Sequence, residues 1–263
     1  MTAIQRNNVN VIGSGEQAII FAHGYGCDQN MWRHLTPYFL EKYRIVLFDF
    51  VGSGLSATSA FDRTRYSTLR GYAQDVLDIL GELNLQGAHF VGHSVSSMIG
   101  ALASIQEPAR FATLTMIGPS ASYINDGEYH GGFEQADIEG LLEALESNHI
   151  AWSAMMAPLI MGNAGRPELA EELEASFCRM DPLLAHHFAR VTFLSDNRAD
   201  LPLVKTRTLI LQCQKDAIAD LRVGEYVHQC LPESQFVVMD ATGHCPHMSA
   251  PKEVALAIQR FLA

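Results

Sequence analysis

Between Ala88 and Ser104 the chain reads AHFVGHSVSSMIGALAS. It opens as an apolar run of strand type, and Met98, Ile99, Ala101 and Leu102 continue it at the spacing of one helix face. Gly92, His93 and Ser94 stand at the junction. Small residues at a strand-to-helix turn let the two elements approach, and a serine at the tip of such a turn is held clear of the sheet. The pattern is GxSxG except at its last position, which is Ser96. Glycine there keeps the helix close to the sheet, so only a small side chain fits. Serine is small enough, and the turn remains plausible.

Short apolar runs recur on either side: AIIFAHG from Ala18, RIVLFDF from Arg44, ATLTMIG from Ala112, TLILQCQ from Thr208 and QFVVMDA from Gln235. Their continuity predicts strands covered on both faces. Helix-period segments lie between them, as at Leu69–Leu83, where Tyr72, Val76, Ile79, Leu80 and Leu83 share a stripe, and Val254–Leu262 ends the chain in the same way. Strand and helix in alternation make an α/β fold, a mostly parallel sheet flanked by helices. The alternation stops between about Ser122 and Arg198. Four helical segments follow one another there, Glu134–Glu146, Ile150–Met161, Pro167–Cys178 and Pro182–Leu194, separated by turn formers such as GNAGRP and MDP. The expected organisation is a core of residues 1–121 and 199–263 carrying an all-helical lid at 122–198.

A chain of 263 residues, 48% hydrophobic, can bury one substantial core. Its formal charge of −11, without a basic block, repels nucleic-acid phosphates and anionic lipid, so neither is expected as a partner. Cys27, Cys178, Cys213, Cys230 and Cys245 are odd in number and lack CxxC spacing, which suggests neither a disulfide framework nor a zinc site. The N-terminus lacks the layout of a signal peptide, and the longest apolar run, IAWSAMMAPLIMG, is too short to span a bilayer. A soluble, cytoplasmic protein is expected.

A serine becomes a nucleophile when a histidine takes its proton, a carboxylate holds that histidine and two N–H groups bind the oxyanion. On a sheet of this kind the three side chains come in the order Ser, Asp or Glu, His, at successive strand ends. TLILQCQ runs directly into Lys215 and Asp216, and QFVVMDA runs into Thr242, Gly243 and His244. Asp220, Asp240 and His247 are rivals. Asp216 is favoured at the strand end, and His244 because Gly243 frees its loop to turn. Asp49, in FDFVGSGLS, precedes the serine strand and reads as a structural turn; His93 and His23 read as turn and loop supports, and Cys245 as a packing residue. The oxyanion N–H groups would come from Val95, after the serine, and from Tyr25 in HGYGCDQ, whose flanking glycines let its amide turn inward. GxxxxGK, HExxH and a dinucleotide fingerprint are absent, so no cofactor and no metal is expected.

GHSVSSMIG resembles the motif of the plant karrikin and strigolactone receptors, in which serine is usual at the last position. GHCPHMS, FDFVGSG and GYAQDVLDIL resemble RsbQ, the bacterial stress-response regulator of the same family. The likeness runs from VNVIGSGE near Val9 through GGFEQADI, APLIMG and ILQCQKD to the C-terminal helix. It implies an α/β-hydrolase core, a four-helix V-shaped lid and a triad of Ser94, Asp216 and His244, with Tyr25 and Val95 at the oxyanion positions. It also implies a protein partner in signalling, such as a phosphatase.

Phe133, Leu142, Trp152, Met155, Met156, Phe188 and Phe193 in the lid are large and apolar, and with Tyr25 and Tyr123 they can roof a pocket above Ser94. About half of the lid residues are expected to form the lid's own core instead. No Lys or Arg cluster converges there, which favours a small neutral ligand. The expected activity is a serine hydrolase acting on a small apolar ester, lactone or related compound, with a coupled stress-signalling role. A slow-turnover ligand sensor acting through a protein partner is the alternative, and perhydrolysis or carbon–carbon cleavage on the same serine stays open.

Overall fold

The computed structural model describes residues Met1–Ala263. Seven strands, β1 (Asn10–Ile12), β2 (Gln17–Ala22), β3 (Tyr43–Leu47), β4 (Ala88–His93), β5 (Phe111–Ile117), β6 (Thr208–Lys215) and β7 (Ser234–Thr242), form one sheet. Their order is β1-β3-β2-β4-β5-β6-β7, parallel throughout except where β1 meets β3. Parallel neighbours require crossovers, and helices supply most of them. The chain places α1 (Ala3–Arg6) before the sheet, α2 (Leu69–Glu82) between β3 and β4, and α3 (Val95–Gln106) between β4 and β5. Four helices, α4 (Gln135–Ser147), α5 (His149–Met161), α6 (Pro167–Cys178) and α7 (Pro182–Phe193), separate β5 from β6. Then come α8 (Leu221–Cys230), α9 (Pro246–Ser249) and α10 (Pro251–Leu262).

From β2 the chain crosses to β3 on one side, and from β4 to β5 on the other. The direction of winding therefore reverses between β2 and β4, and a crevice opens beyond their carboxyl ends. Ala22 pairs with Gly92 at that edge, so the loop after β2 and the turn after β4 leave the sheet side by side.

Alternate residues of the central strands feed two apolar layers. Ile20 and Ala22 of β2 join Tyr72, Val76 and Ile79 of α2 and Ile99 and Leu102 of α3. Ile19 and Phe21 face the other way, towards Trp32, Phe39 and Val254, Ile258 and Phe261 of α10. Both faces are dry, which is why these strands show no alternation in sequence. The strand at Gln235 differs from its expected double covering. β7 is an edge strand, and Val237 and Val238 are 36% and 48% exposed. β1, at the opposite edge, is three residues long with all three exposed, too short to carry a periodic signal.

Turn chemistry sets the four-helix stretch. Asn148 caps α5 through the N–H of Ala151, and Gly162 ends that helix at φ 64°. Pro167 opens α6, while Asp181 caps α7 ahead of Pro182. The inner residues Ile138, Leu142, Trp152, Met156, Leu173, Phe177 and Phe193 belong to the same apolar cluster as Ile19 and Phe21 of the sheet. These helices thus share a core with the sheet instead of building a separate one.

Beside α2 a buried ionic group ties the N-terminus down. The carboxylate of Asp75, 0% exposed, accepts from Asn7, Arg65 and Tyr66 and pairs with Arg6 at 2.9 Å. Asp78, 30% exposed, shares both arginines. Asp75→Ala strips a buried carboxylate from two guanidinium groups and should cost about 3 kcal/mol, whereas Asp78→Ala should cost about 1 kcal/mol or less, because water replaces it. Urea unfolding of the two variants measures the difference, and equal losses would contradict this account.

Candidate active site

Ser94 occupies φ 56°, ψ −122°, a backbone conformation that costs energy for any side-chain-bearing residue and holds its Oγ at the tip of the turn. The approach of α3 explains Gly92, since a Cβ there would lie 2.6 Å from the carbonyl oxygen of Ser96. Ser96 has a use of its own. Its hydroxyl donates to the backbone oxygen of His23, joining the start of α3 to the loop after β2.

His244 follows β7 and Asp216 follows β6. The ring stands between two partners, Nε2 2.8 Å from Ser94 Oγ and Nδ1 2.7 Å from Asp216 Oδ2. The other Asp216 oxygen accepts the N–H groups of Ile218 and Ala219, so the carboxylate is aimed from both sides. Gly118, at φ 58° after β5, makes room: a Cβ there would meet the His244 ring at 3.1 Å. The backbone N–H of His244 donates to Ile160 of α5 at 2.8 Å.

The rivals have other duties. Asp220 caps α8 through Arg222 and Val223 and pairs with His130 at 2.7 Å. Asp240 is exposed on β7. His247 packs against Trp32 and His93, ring centroids 4.7 and 4.4 Å away. Asp49 accepts from Gln29, Leu55 and Asn8 and shapes its turn.

Val95 is the first residue of α3, where an N–H has no intrahelical acceptor. The loop after β2 is braced by His23, whose Nε2 accepts from Phe50 while Nδ1 donates to the carbonyl of Gly24. Tyr25 sits on that loop between Gly24 and Gly26. His93 Nε2 donates to the carbonyl oxygen of His244 at 2.8 Å and steadies the histidine loop from behind. Burial is the main force on these imidazoles. It lowers His23 below its ordinary value, lowers His93 much further and brings His247 to about 3. His93, Cys245 and His247 form a buried trio of side chains of metal-ligating type, with their ligand atoms within 4.8 Å of one another. Burial also pushes the Cys245 thiol well up from its ordinary value.

A cavity of about 30 Å³ lies over Ser94 and His244, lined by Tyr25, Cys27, Ile160, Leu173, Phe177 and Ile218 among others. Of the residues expected to form the pocket, Tyr25 alone is part of this lining. Trp152 and Phe193 instead pack around the Tyr25 ring, at 6.1 and 5.9 Å between centroids, with Tyr123 beyond Phe193 at 5.1 Å. Met156 lies in the same cluster, and Phe133 is half-buried at its margin. Met155 is 59% exposed and takes no part. Leu173 and Phe177, which the sequence reading missed, are spaced i, i+4 on α6, while Ile218 stands two residues beyond Asp216. A larger cavity of about 520 Å³ lies beyond Cys27, lined by polar residues including Asn8, Asn10, Asp28, Gln29 and Arg179, and it does not include Ser94 or His244.

Serine after one central strand, aspartate and histidine after two later ones, in that chain order on a sheet of this winding, define the α/β-hydrolase class. The sequence profile of the alpha/beta hydrolase family matches residues 19–257, and the chain belongs to that family. It is 41% identical to the karrikin insensitive 2 receptor CA of Petunia hybrida over 259 residues, 98% of this chain and 96% of the other. It is 40% identical to the strigolactone esterase D14 of Arabidopsis thaliana over 256 residues, 97% and 96% of the two chains. The solved structure of a hydrolase from Oleispira antarctica superposes with a TM-score of 0.96 at 42% identity, covering 99% of this chain and 96% of that one. No helix is long and apolar enough to cross a membrane.

The depressed histidines fix a pH response. The unfolded chain takes up protons near 6.5 while native His247 stays neutral down to about 3, so its stabilisation is complete above 6.5 and is lost as pH falls through that window. The loss is on the order of 1.4 kcal/mol per pH unit for His247 within that window. Urea midpoints from pH 7 to 4 should show a shallower decline for His247→Leu than for the parent protein. Parallel slopes would show that His247 is protonated in the native state.

Proposed function

We propose that the protein is a serine hydrolase of a small, uncharged, largely apolar ester or lactone, with Ser94 as nucleophile, His244 as base and Asp216 as its holder. The observation that carries this is the unbroken relay of hydrogen bonds from Asp216 through His244 to Ser94. Ser94 Oγ attacks the acyl carbon as its proton passes to His244 Nε2, and the oxyanion turns to the N–H groups of Val95 and Tyr25. His244 then protonates the leaving alcohol, and a water activated by the same ring releases the acid. The lining of the cavity offers no Lys or Arg, which supports an uncharged substrate. The word esterase in a relative's name supports the same bond.

One observation favours a second reading, a slow sensor that signals through a protein such as a phosphatase. About 30 Å³ is far too small for an ester, so a ligand must displace the rings around Tyr25 and with them the helices of residues 122–198. These helices then act as a lid whose position reports occupancy, and relatives named as receptors support that use.

A panel of neutral esters and lactones, followed by hydrolysis and by thermal shift, tests both readings. Ser94→Ala should remove turnover while leaving a ligand-induced thermal shift. Asp216→Asn should slow turnover by up to roughly 10⁴-fold by freeing the wrong His244 tautomer, whereas Asp220→Asn should change it little. Reversed effects would transfer the role to Asp220. Many turnovers per protein favour the hydrolase, and a single slow turnover favours the sensor. Ser96→Gly restores the fifth-position glycine but cuts the tie to His23. It should slow turnover by about fivefold, equivalent to about 1 kcal/mol for one hydrogen bond, and a faster variant would show that the tie is idle.

A further inference from the structure

The cavity of about 520 Å³ beyond Cys27 has the volume of a small-molecule site, about 300–1,000 Å³. Cys27 is the one residue that lines both this cavity and the one over Ser94. Hydrolysis makes no use of it. Its walls come from the chain at the start of β1, the turn after the loop of Tyr25, the turn after β3 and the end of α6.

These walls are hydrogen-bonding groups held in place by one another. Asp49, 1% exposed, accepts from Gln29, Leu55 and Asn8. Asp28 accepts the N–H of Asn30 and pairs with Arg179 at 3.3 Å. Gln29 donates to the carbonyl of Asn8 and accepts from Asn10. The same bonds leave particular groups unspent. Asn8 and Asn10 are engaged through their amide nitrogens, so their amide oxygens remain as acceptors. Arg179 gives one nitrogen to Asp28, so further N–H groups remain as donors, and Asn30 adds a side-chain amide that offers both.

A hydroxyl group donates and accepts at once, so a wall that interleaves acceptors with donors suits a ligand with several hydroxyls. An anion would meet two carboxylates and a single arginine already paired with one of them. A metal ion takes bare carboxylate oxygens, but both of Asp49 and one of Asp28 are occupied by N–H donors. An apolar compound would strand the amides. Leu55, 82% exposed, and Met180 supply apolar contact for the C–H groups of a hydroxylated ring.

We propose that this cavity is a second ligand site, which binds a small neutral polyol of the size of a monosaccharide or cyclitol. The polar side chains that hold the polyol do not line the cavity over Ser94, so the proposal is independent of whether Ser94 turns over a substrate.

Saturation-transfer NMR with the full chain tests it. The probes are myo-inositol and methyl α-D-glucopyranoside, with cyclohexanol as a ring lacking neighbouring hydroxyls and spermidine as a cationic control. At least one of the two polyols should show saturable transfer at millimolar concentration and shift the backbone N–H signals of Asn30 and Arg179, while cyclohexanol should not bind. The double substitution Asn30→Ala with Arg179→Ala removes two exposed side chains. It should weaken binding by about tenfold or more, since one net hydrogen bond is worth about fivefold, and an unchanged urea midpoint shows that the fold is kept. Ser94→Ala should bind the polyol as the parent protein does. Failure of both polyols to bind, equal binding of cyclohexanol, or equal binding by the double variant overturns the proposal. Preferred binding of spermidine would assign the carboxylates to a cation, and loss of polyol binding in Ser94→Ala would place the ligand at the catalytic serine. Either result also overturns it.

Discussion

The backbone of Ser94 is the constraint on which the site depends. A non-glycine residue at φ 56°, ψ −122° persists only where its surroundings over-determine it, and here three features do so. β4 lies between β2 and β5, its final residue pairing with Ile117. The N–H of Ser94 is held by the carbonyl of Ile117 at 2.8 Å. Gly92 lets α3 begin almost on top of the strand. The reward is geometric, because one bend presents the hydroxyl to His244 and leaves the N–H of Val95, at the start of α3, without an intrahelical acceptor.

The cavity over Ser94 is bounded by two kinds of material. Below it, polar groups are held rigidly: Asp216 by two N–H groups, His244 by Asp216 and Ile160, and the loop of Tyr25 by His23. Above it lies an aromatic cluster around Tyr25, including Phe177, Phe188 and Phe193. Its centroid distances of about 6 Å are ordinary aromatic packing contacts. The lower groups are thus fixed by directional hydrogen bonds and the upper ones by packing alone.

How much of this was legible in the sequence follows from the range of each interaction. The strand and helix alternation is local, and so are the caps Asp181 and Gly162, so the layers and the helices of the insertion could be read directly. Chain order and strand ends are what single out Ser94, Asp216 and His244 in the sequence, and the sheet brings the three side chains within hydrogen-bonding distance. The edge position of β7 was not legible, because Val237 and Val238 look the same in a central strand. The lining of the present cavity is not legible for a related reason. An apolar side chain on a helix of the insertion gives no sign whether it faces the cavity or another ring: Leu173 and Phe177 line the cavity, while Trp152 and Phe193 pack on Tyr25. Gly118 carries no motif, and its need appears only when His244 arrives from far along the chain.

The end of α5 joins these two materials. The carbonyl of Ile160 accepts the N–H of His244, while the side chain of the same residue lines the cavity. Asn163, just past the helix, donates from one amide nitrogen to the carbonyls of Met161 and Thr242, at 2.7 and 2.9 Å. Gly243 permits this closeness, since a Cβ on it would lie 1.9 Å from the carbonyl of Met161. A ligand that moves α5 outward must therefore either break these bonds or carry the His244 loop along. Movement of the upper rings alone leaves His244 in place, whereas displacement of α5 does not. Which helix yields to a ligand thus decides whether binding preserves or loosens the relay, and the contacts favour α6. It meets the core through side chains, as in the Arg33–Glu172 pair and the bond from Ser176 to Gly26, while α5 is tied through backbone to the histidine loop itself.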